Sequence, residues 1–329
     1  MWWRRRAANN PVVAPVVVPP PPEAAHALLH RLEWQVLKRL DGTVQGEHRT
    51  AMRGAGLDLA DLREYTANDD VRHIDWNVTA RMSTPYVREF MEDRAMVGWL
   101  VLDLSPSVGF GSGAHGKFEV LLAFTGVLSR LLTRHGNRVG ALLFGGDGPP
   151  VRVPPGAGRA HVLRLLATVQ ARAPRPDGPP TDTRLADWLG QVGALLRQRC
   201  SVFVVSDFIS PPGWERPLGQ LAHRHDVLAV RLVDPLERAI PDLGWVPLRD
   251  LESGERLWVD TQDPGFRERF AALAQAQEAT LLAGLAAAGV DTLGLSTDED
   301  LVDALRRLLT LRQRRGHATG WQPPLGARA

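Results

Sequence analysis

The chain has 329 residues, of which 44% are hydrophobic and 23% charged, the balance of an ordinary soluble globular protein. Its 39 basic and 37 acidic residues leave a net charge of +2, and the arginines are interleaved with acids along the chain. This composition excludes wholesale disorder and argues against nucleic-acid binding. The single cysteine excludes an internal disulfide, and no apolar run has the length of a membrane span.

The N-terminal part of the chain consists of three segments that differ in composition. Residues 1–22 contain six prolines and are predicted to form a disordered tail. The tail resembles a signal peptide only faintly, since prolines disfavour a helical apolar segment, and cytoplasmic residence is therefore expected. Apolar residues at helical spacing predict a helix over 23–40, and a polar, charged stretch continues to residue 95. We therefore expect an N-terminal segment over 23–95.

From residue 96 to about 315, short apolar runs alternate with segments of helical periodicity. Predominantly apolar runs, typical of strands buried on both faces, occur at 97–102, 138–144, 202–205, 227–233 and 292–295. The alternation predicts an α/β domain with a doubly wound, mostly parallel sheet and helices on both faces. A β-hairpin is predicted at about 244–260, and a loose C-terminal tail at 316–329.

Oxygen-bearing side chains follow the first of these strands. Asp103, Ser105 and Ser107 are spaced by two, and residues two apart project the same way from an extended segment. In open α/β sheets, ligands bind outside the carboxyl ends of the strands, where these side chains are expected to converge. A turn held by bonds between side chains and the backbone is the alternative explanation of the same motif.

Two later segments strengthen the first interpretation. Asp207 follows another apolar strand, and Thr181 or Thr183 precedes a predicted helix from Leu185. Carboxylate and hydroxyl oxygens are ligands for hard divalent cations, so the sequence predicts a site for Mg²⁺, with Mn²⁺ or Ca²⁺ as alternatives.

The strand-end motif, the threonine before a helix and the second strand-end aspartate resemble the metal-ion-dependent adhesion site of von Willebrand factor A domains. A second block, between Arg63 and Arg81, is similar to the signature of the domain of unknown function 58 family. This resemblance extends over about residues 42–315 and implies a von Willebrand A-like domain with an extra N-terminal segment. Thr183 fits the family's spacing better than Thr181. The resemblance thus assigns the metal ligands as Asp103, Ser105, Ser107, Thr183 and Asp207.

Members of this family are associated with MoxR-type AAA+ ATPases. The resemblance therefore implies such an ATPase and an unidentified client protein as partners, with roles in complex assembly, maturation or chaperone-like work. It implies a non-enzymatic module in which a carboxylate of the partner completes the shell of the divalent ion. A metal-dependent hydrolase is the alternative, but it needs a general base near the ion, and the sequence offers no clear one.

The block over residues 68–81 has two interpretations. Asn68 or Asp69 can begin a helix, and an ion pair between Arg72 and Asp75 would then help to pin the segment to the domain. The block is otherwise a partner-docking surface, because arginine and tryptophan are enriched at interaction hot spots. The candidate docking residues are Arg63, Asp69, Asp70, Arg72, Asp75, Trp76 and Arg81.

The glycine-rich segment over 111–118 matches two nucleotide-binding patterns in form but not in context. Phe118 stands where a P-loop needs serine or threonine, and the segment begins too far after its strand for a dinucleotide fingerprint. We expect instead a flexible loop leading into a helix, with Lys117 in the first turn.

Overall fold

The computed structural model describes residues 23–32, 58–66, 71, 74–82, 84–91, 96–145, 149–174, 184–249 and 256–318. The strands are β1 (Asp58–Glu64), β2 (Tyr86–Met91), β3 (Val97–Asp103), β4 (Arg138–Phe144), β5 (Val151–Gly156), β6 (Ser201–Ser206), β7 (Asp226–Val233), β8 (Trp245–Arg249), β9 (Arg256–Asp260) and β10 (Asp291–Ser296). The helices are α1 (Glu23–Leu32), α2 (Trp76–Met82), α3 (Lys117–Arg134), α4 (Gly158–Gln170), α5 (Leu185–Leu195), α6 (Glu215–Arg224), α7 (Pro264–Ala287) and α8 (Leu301–Ala318). Within these ranges, no helix is both long enough and apolar enough to cross a lipid bilayer.

Six strands form one sheet in the order β10-β7-β6-β3-β4-β5. Neighbouring strands pair in parallel except at one edge, where β5 runs antiparallel to β4. When only the strands of this sheet are numbered along the chain, the order is 3-2-1-4-5-6, the doubly wound arrangement in which the winding reverses between β3 and β6. The predicted doubly wound, mostly parallel α/β fold is therefore confirmed.

Helices cover both faces of this sheet because its strands carry apolar side chains on both sides. In β3, Leu100 and Leu102 belong to the core formed with α1, α3, α4 and α8. Their neighbours Trp99 and Val101 belong to the opposite core, formed with α5, α6 and the end of α7. The alternation follows from the two-residue period of a strand, and the predicted helical layers are confirmed.

The first helix is part of one of these cores. In α1, Ala25 and Leu29 are fully buried, and they pack in the same cluster as side chains of α3 and α4. The close approach depends on Gly126 in α3, where an added Cβ would lie 3.0 Å from Leu32 Cδ1. The rest of the helix predicted over 23–40 lies outside the described residues.

Three strands were not predicted. β1 and β2 form an antiparallel pair within the polar N-terminal segment, where no apolar alternation indicates strands. β5 contains Pro154 and Pro155, and its place at the sheet edge explains why prolines are tolerated there. The predicted hairpin is present as the antiparallel pair of β8 and β9.

Candidate metal centre

The turn that follows β3 lies where the winding of the sheet reverses. Asp103 ends the strand, and its Oδ1 accepts a hydrogen bond of 2.9 Å from the backbone N–H of Ser105. The hydroxyl oxygens of Ser105 and Ser107 lie 3.0 Å apart. All three side chains are buried. The structure thus brings together the three oxygen-bearing residues of the motif, and the turn hydrogen bond of the alternative explanation coexists with this arrangement.

The backbone of this turn packs tightly against the end of β4. The N–H of Leu104 donates to the carbonyl of Phe144 at 2.8 Å. Gly145, which follows Phe144, has a φ of +76°, a conformation that residues with a side chain rarely adopt. A Cβ at Gly145 would lie 2.6 Å from the backbone nitrogen of Ser105. Glycine is therefore needed here both for its backbone conformation and for the close approach.

Asp207 directly follows β6, the neighbour of β3. The hydroxyl of Ser206 donates to Asp103 Oδ2 at 2.6 Å, so the ends of the two strands are joined. The N–H of Phe208 donates to Ser206 Oγ at 2.9 Å, and the N–H of Ile209 donates to Asp207 Oδ1 at 3.1 Å. Phe208 has a φ of 59°, and among the described residues it is the single non-glycine with a positive φ. These constraints fix where the carboxylate of Asp207 lies.

Two buried carboxylates in one place favour a cation. Asp103 is 3% exposed and Asp207 is 2% exposed. Burial, and then the charge of Asp207, raise the pKa of Asp103 to about 7, although hydrogen bonds from Ser206 and Ser105 favour its charged form. A positive charge between the two groups would reduce both the cost of burial and the repulsion.

A cation of the protein itself lies beside Asp207. Lys117 is the first residue of α3, and its side chain is fully buried. Its Nζ donates to Asp207 Oδ2 at 2.7 Å and to Glu237 Oε1 at 2.6 Å. Burial alone would lower the pKa of Lys117, but the two carboxylates outweigh it and raise that pKa above its ordinary value. The lysine is therefore charged and paired inside the candidate site.

The glycine-rich loop before α3 is anchored, in contrast to the flexible loop expected from the sequence. Its ends touch, since a Cβ at Gly111 would lie 2.3 Å from the Cα of Gly116. Ser112 donates from its backbone N–H and its hydroxyl to Asp234, a buried residue that follows β7. Thr297, after β10, donates to the same carboxylate at 3.0 Å. The loop is thus joined to the ends of two further strands.

The predicted threonine ligand lies outside the described residues, as does its alternative. Thr181 and Thr183 both precede α5. The backbone N–H of Leu185, the first residue of α5, donates to Ser210 Oγ at 3.1 Å. Ser210 comes three residues after Asp207, so the start of α5 is tied to the loop that follows the second strand end of the site.

The described donors suit a hard divalent ion. Neighbouring oxygens around an octahedral ion with bonds of 2.0–2.1 Å are about 2.9 Å apart, close to the 3.0 Å that separates the Ser105 and Ser107 hydroxyls. In the part of the chain that the structure describes, no group of three or more His, Cys, Asp or Glu side chains could hold a metal. The site contains two such residues, Asp103 and Asp207, so its hydroxyls would have to act as ligands.

The candidate docking residues are only partly described. Three of them, Asp69, Asp70 and Arg72, lie outside the described residues. The predicted helix start at Asn68 or Asp69 lies there too, as does the arginine of the predicted Arg72–Asp75 pair. Asp75 is buried and caps α2, since its Oδ1 accepts from the backbone N–H of Asn77 at 3.0 Å and of Val78 at 3.2 Å. This cap indicates a structural role for Asp75.

The remaining candidates for docking differ in their placement. Trp76, the first residue of α2, is 70% exposed, and Arg81 in the last turn of the same helix is also exposed. Arg63 lies in β1, which pairs with β2. The structure therefore leaves Trp76 and Arg81 accessible on one short helix.

Sequence reasoning missed four residues that shape the site: Ser206, Gly145, Glu237 and Lys117. One signal could have revealed the last of these. The chain has only two lysines, and Lys117 stands at the start of a helix, where the helix dipole disfavours a cation unless acids face it. The acids that face it come from distant parts of the chain, so the spacing of residues does not identify them.

The fold and the site define a doubly wound α/β domain with an oxygen-lined site at the point where the winding reverses. The chain belongs to the family described as Protein of unknown function DUF58, whose model matches residues 61–280. It is similar to the uncharacterized protein Rv1480 of Mycobacterium tuberculosis (strain ATCC 25618 / H37Rv), with 36% identity over 296 residues, 90% of this chain and 92% of that protein. The family predicted from the sequence motifs is therefore confirmed.

Three solved structures are more distant neighbours of the chain. BatB from Bacteroides thetaiotaomicron has 14% identity and a TM-score of 0.43, over 67% of this chain and 99% of that one. The VWA domain of SpRpn10 has 13% identity and a TM-score of 0.35, over 65% and 95% of the two chains. Proximal thread matrix protein 1 from the mussel byssus, with a zinc-occupied MIDAS motif, has 18% identity and a TM-score of 0.32, over 42% of this chain and 38% of that one. The doubly wound fold follows from the sheet topology of this chain.

Proposed function

We propose that this protein is a non-enzymatic interaction module that depends on a divalent metal ion. The observation that carries the proposal is the convergence of two buried carboxylates and two buried hydroxyls where the winding of the sheet reverses. Mg²⁺ is the first candidate because it prefers oxygen ligands in octahedral geometry, and Mn²⁺ and Ca²⁺ are the next. The proposed ligands are Asp103, Ser105, Ser107, Thr183 and Asp207.

The chemistry of the donors explains how such a site would serve binding. Serine hydroxyls are neutral, so they add no negative charge to that of the two aspartates. A bound divalent ion would offer a Lewis-acidic position to a carboxylate of a partner. The protein's own part is to hold the donors in place, and Asp103 is held by hydrogen bonds from the Ser105 N–H and the Ser206 hydroxyl.

The surroundings of the site support a binding role over hydrolysis. A hydrolase would need a general base with a free lone pair beside the ion. Glu237 is the acid that contacts Lys117, and its Oε1 accepts from Lys117 while its Oε2 accepts from the backbone N–H of Asp234. Both of its oxygens are thus engaged in holding the structure together.

The proposed partners are a MoxR-type AAA+ ATPase and a client protein, in complex assembly, maturation or chaperone-like work, and the proposed location is the cytoplasm. The family resemblance supports the choice of partners. A partner's aspartate or glutamate would supply the missing ligand, and the ATPase would supply the energy of ATP hydrolysis. Trp76 and Arg81, both exposed on α2, are proposed as further contacts, because these residue types are enriched at hot spots.

The proposal is tested first by thermal and chemical unfolding of the full chain in EDTA and in Mg²⁺, Mn²⁺ or Ca²⁺. An ion at about one hundred times its dissociation constant raises the free energy of unfolding by about 2.7 kcal/mol. The second measurement is binding of the MoxR-type ATPase of the same organism to the immobilised chain, which we expect in Mg²⁺ and not in EDTA. Binding of equal strength in EDTA would contradict a metal-dependent module.

The two threonines before α5 offer a matched pair of variants. If Thr183 is the ligand, Thr183→Val removes one oxygen from the ion and weakens divalent binding by at least about tenfold, the equivalent of one lost favourable contact. Thr181→Val makes the same chemical change two residues away and leaves the affinity unchanged. Calorimetric titration of Mn²⁺ into both variants measures the difference. The reverse order of affinities would assign Thr181 as the ligand.

A further inference from the structure

The ammonium of Lys117 lies on the carboxylate that the proposed metal site needs. Its Nζ lies 2.7 Å from Asp207 Oδ2, and the two side chains are 0% and 1% exposed. The other oxygen of Asp207 accepts the N–H of Ile209. Both carboxylate oxygens are therefore engaged by the protein, and a divalent ion that binds Asp207 has to share it with an ammonium or displace that ammonium.

Glu237 gives the ammonium a second position. Its Oε1 lies 2.6 Å from Lys117 Nζ, and its side chain is 26% exposed, so it lies nearer the surface than Asp207. Glu237 is itself held in place, because its Oε2 accepts the N–H of Asp234 within a capping box. Lys117 can therefore leave Asp207 and remain paired.

We propose that Lys117 is an internal cation that competes with the divalent ion for Asp207 and is retained by Glu237 when the ion binds. The inference rests on the proposed function, since it concerns the same metal site. An ammonium and a divalent ion next to one buried carboxylate repel each other strongly, because little solvent screens them. The pairing with Lys117 thus compensates the charge of Asp207 without metal and lowers the affinity of the site for the ion.

The size of this effect follows from the populations of two states. If the form with Lys117 on Asp207 exceeds the open form by about ten to one, the apparent affinity for the ion is about tenfold lower than the intrinsic affinity. Removal of the ammonium abolishes that reduction. If Lys117 instead serves only to position Asp207 as a ligand, its removal weakens ion binding, so the direction of the change separates the two roles.

The test is calorimetric titration of Mn²⁺ into the full chain at fixed pH for three proteins: wild type, Lys117→Met and the double variant Lys117→Met/Glu237→Gln. Methionine keeps an unbranched chain of similar length in the core. The double variant loses one positive and one negative charge, so its net charge equals that of the wild type. We expect both variants to bind Mn²⁺ at least about tenfold more tightly than the wild type.

The controls separate local competition from general effects. Arg138→Met removes one cation at the start of β4, at the opposite end of the strands, and is expected to change the dissociation constant by less than about twofold, since salt screens such distances. In EDTA, Lys117→Met is expected to unfold at a lower temperature than the wild type, and Mn²⁺ to raise its unfolding temperature by more. Should Lys117→Met fail to fold, the double variant, which leaves no unpaired Glu237, carries the test.

The outcomes are distinct for the two proposals. Affinities in both Lys117 variants equal to or weaker than that of the wild type, with the wild type binding Mn²⁺, overturn the competition and leave the metal-dependent module in place. Absence of Mn²⁺ binding by the wild type and by every variant overturns the proposed function, and the competition with it.

Discussion

Replacing Asp103 with asparagine is expected to abolish divalent-ion binding while leaving the metal-free protein at least as stable as the wild type. Asp103 is buried beside the like charge of Asp207, and its pKa is raised to about 7 by burial and by that charge. The neutral side chain removes this unfavourable charge. Asparagine also keeps both contacts, because its oxygen can accept from the Ser105 N–H and its amide can donate to the Ser206 hydroxyl.

The measurement is denaturant unfolding at pH 8, in EDTA and in Mg²⁺. In EDTA the free energy of unfolding of Asp103→Asn is expected to equal that of the wild type or to exceed it by up to about 3 kcal/mol, the scale of an uncompensated buried polar group. At an ion concentration of about one hundred times the wild-type dissociation constant, the wild type gains about 2.7 kcal/mol, and the variant gains less than a tenth of that.

Asp234 provides the matched control. It is also a fully buried aspartate after a strand of the same sheet, but hydrogen bonds surround its carboxylate. Burial would raise its pKa, yet bonds from Ser112, Leu236 and Thr297 outweigh burial and lower that pKa below the ordinary value. Asp234→Asn is therefore expected to lose about 2 kcal/mol, the scale of hydrogen bonds to a charged group.

The sign of the pH dependence follows from the same shift. A carboxyl whose pKa is lowered on folding stabilises the folded state above its unfolded pKa, and that contribution is lost as the pH falls below about 4. The difference in stability between wild type and Asp234→Asn should therefore shrink at low pH.

A loss of stability in Asp103→Asn as large as that in Asp234→Asn would show that the Asp103 carboxylate is compensated in the metal-free protein.

Alanine at Gly145 is expected to cause a large loss of stability. Gly145 has a φ of +76°, and a Cβ there would lie 2.6 Å from the backbone nitrogen of Ser105 and 2.9 Å from the carbonyl carbon of Leu104. The backbone conformation costs a non-glycine residue about 1 to 2 kcal/mol. Displacing the packed turn adds about 1 to 3 kcal/mol, so a total loss of about 3 kcal/mol or more is expected.

Gly136 offers the control for the backbone term alone. Its φ is +80°, and an added Cβ would have no heavy atom within 4 Å apart from its immediate chain neighbours. Gly136→Ala should therefore lose only about 1 to 2 kcal/mol in urea unfolding and keep the wild-type affinity for Mn²⁺. Gly145→Ala should also bind Mn²⁺ more weakly, because it shifts the turn that holds the two serines. Equal losses in the two variants would show that the turn can move without cost.

The parts of the fold that sequence reasoning predicted are those governed by local patterns. Predominantly apolar runs identify β3, β4, β6 and β7, because strands of a parallel sheet are buried on both faces. β5 was missed because Pro154 and Pro155 are read as strand breakers, and only its position at the edge of the sheet makes them acceptable. The position of β5 in the sheet therefore outweighs the low strand propensity of its prolines.

The residues of the candidate site likewise fall into those that local spacing predicts and those that only the fold brings together. Asp103, Ser105 and Ser107 were predicted because two-residue spacing and the end of a strand are visible in a single segment. The contacts that decide the electrostatics join distant segments: 90 residues separate Lys117 from Asp207, and 103 residues separate Asp103 from Ser206. Without a set of related sequences, nothing in one chain indicates such pairs before the strands are arranged.

The packing of α1 determines where this chain can be shortened. The family match begins at residue 61, and the first strand of the large sheet begins at Val97, yet Ala25 and Leu29 fill a groove between α3 and α4. A fragment that starts at either point would leave this groove open to water, and contiguous apolar surface of that kind promotes self-association. The smallest soluble fragment is therefore expected to start at or before Glu23, well ahead of the segment that identifies the family.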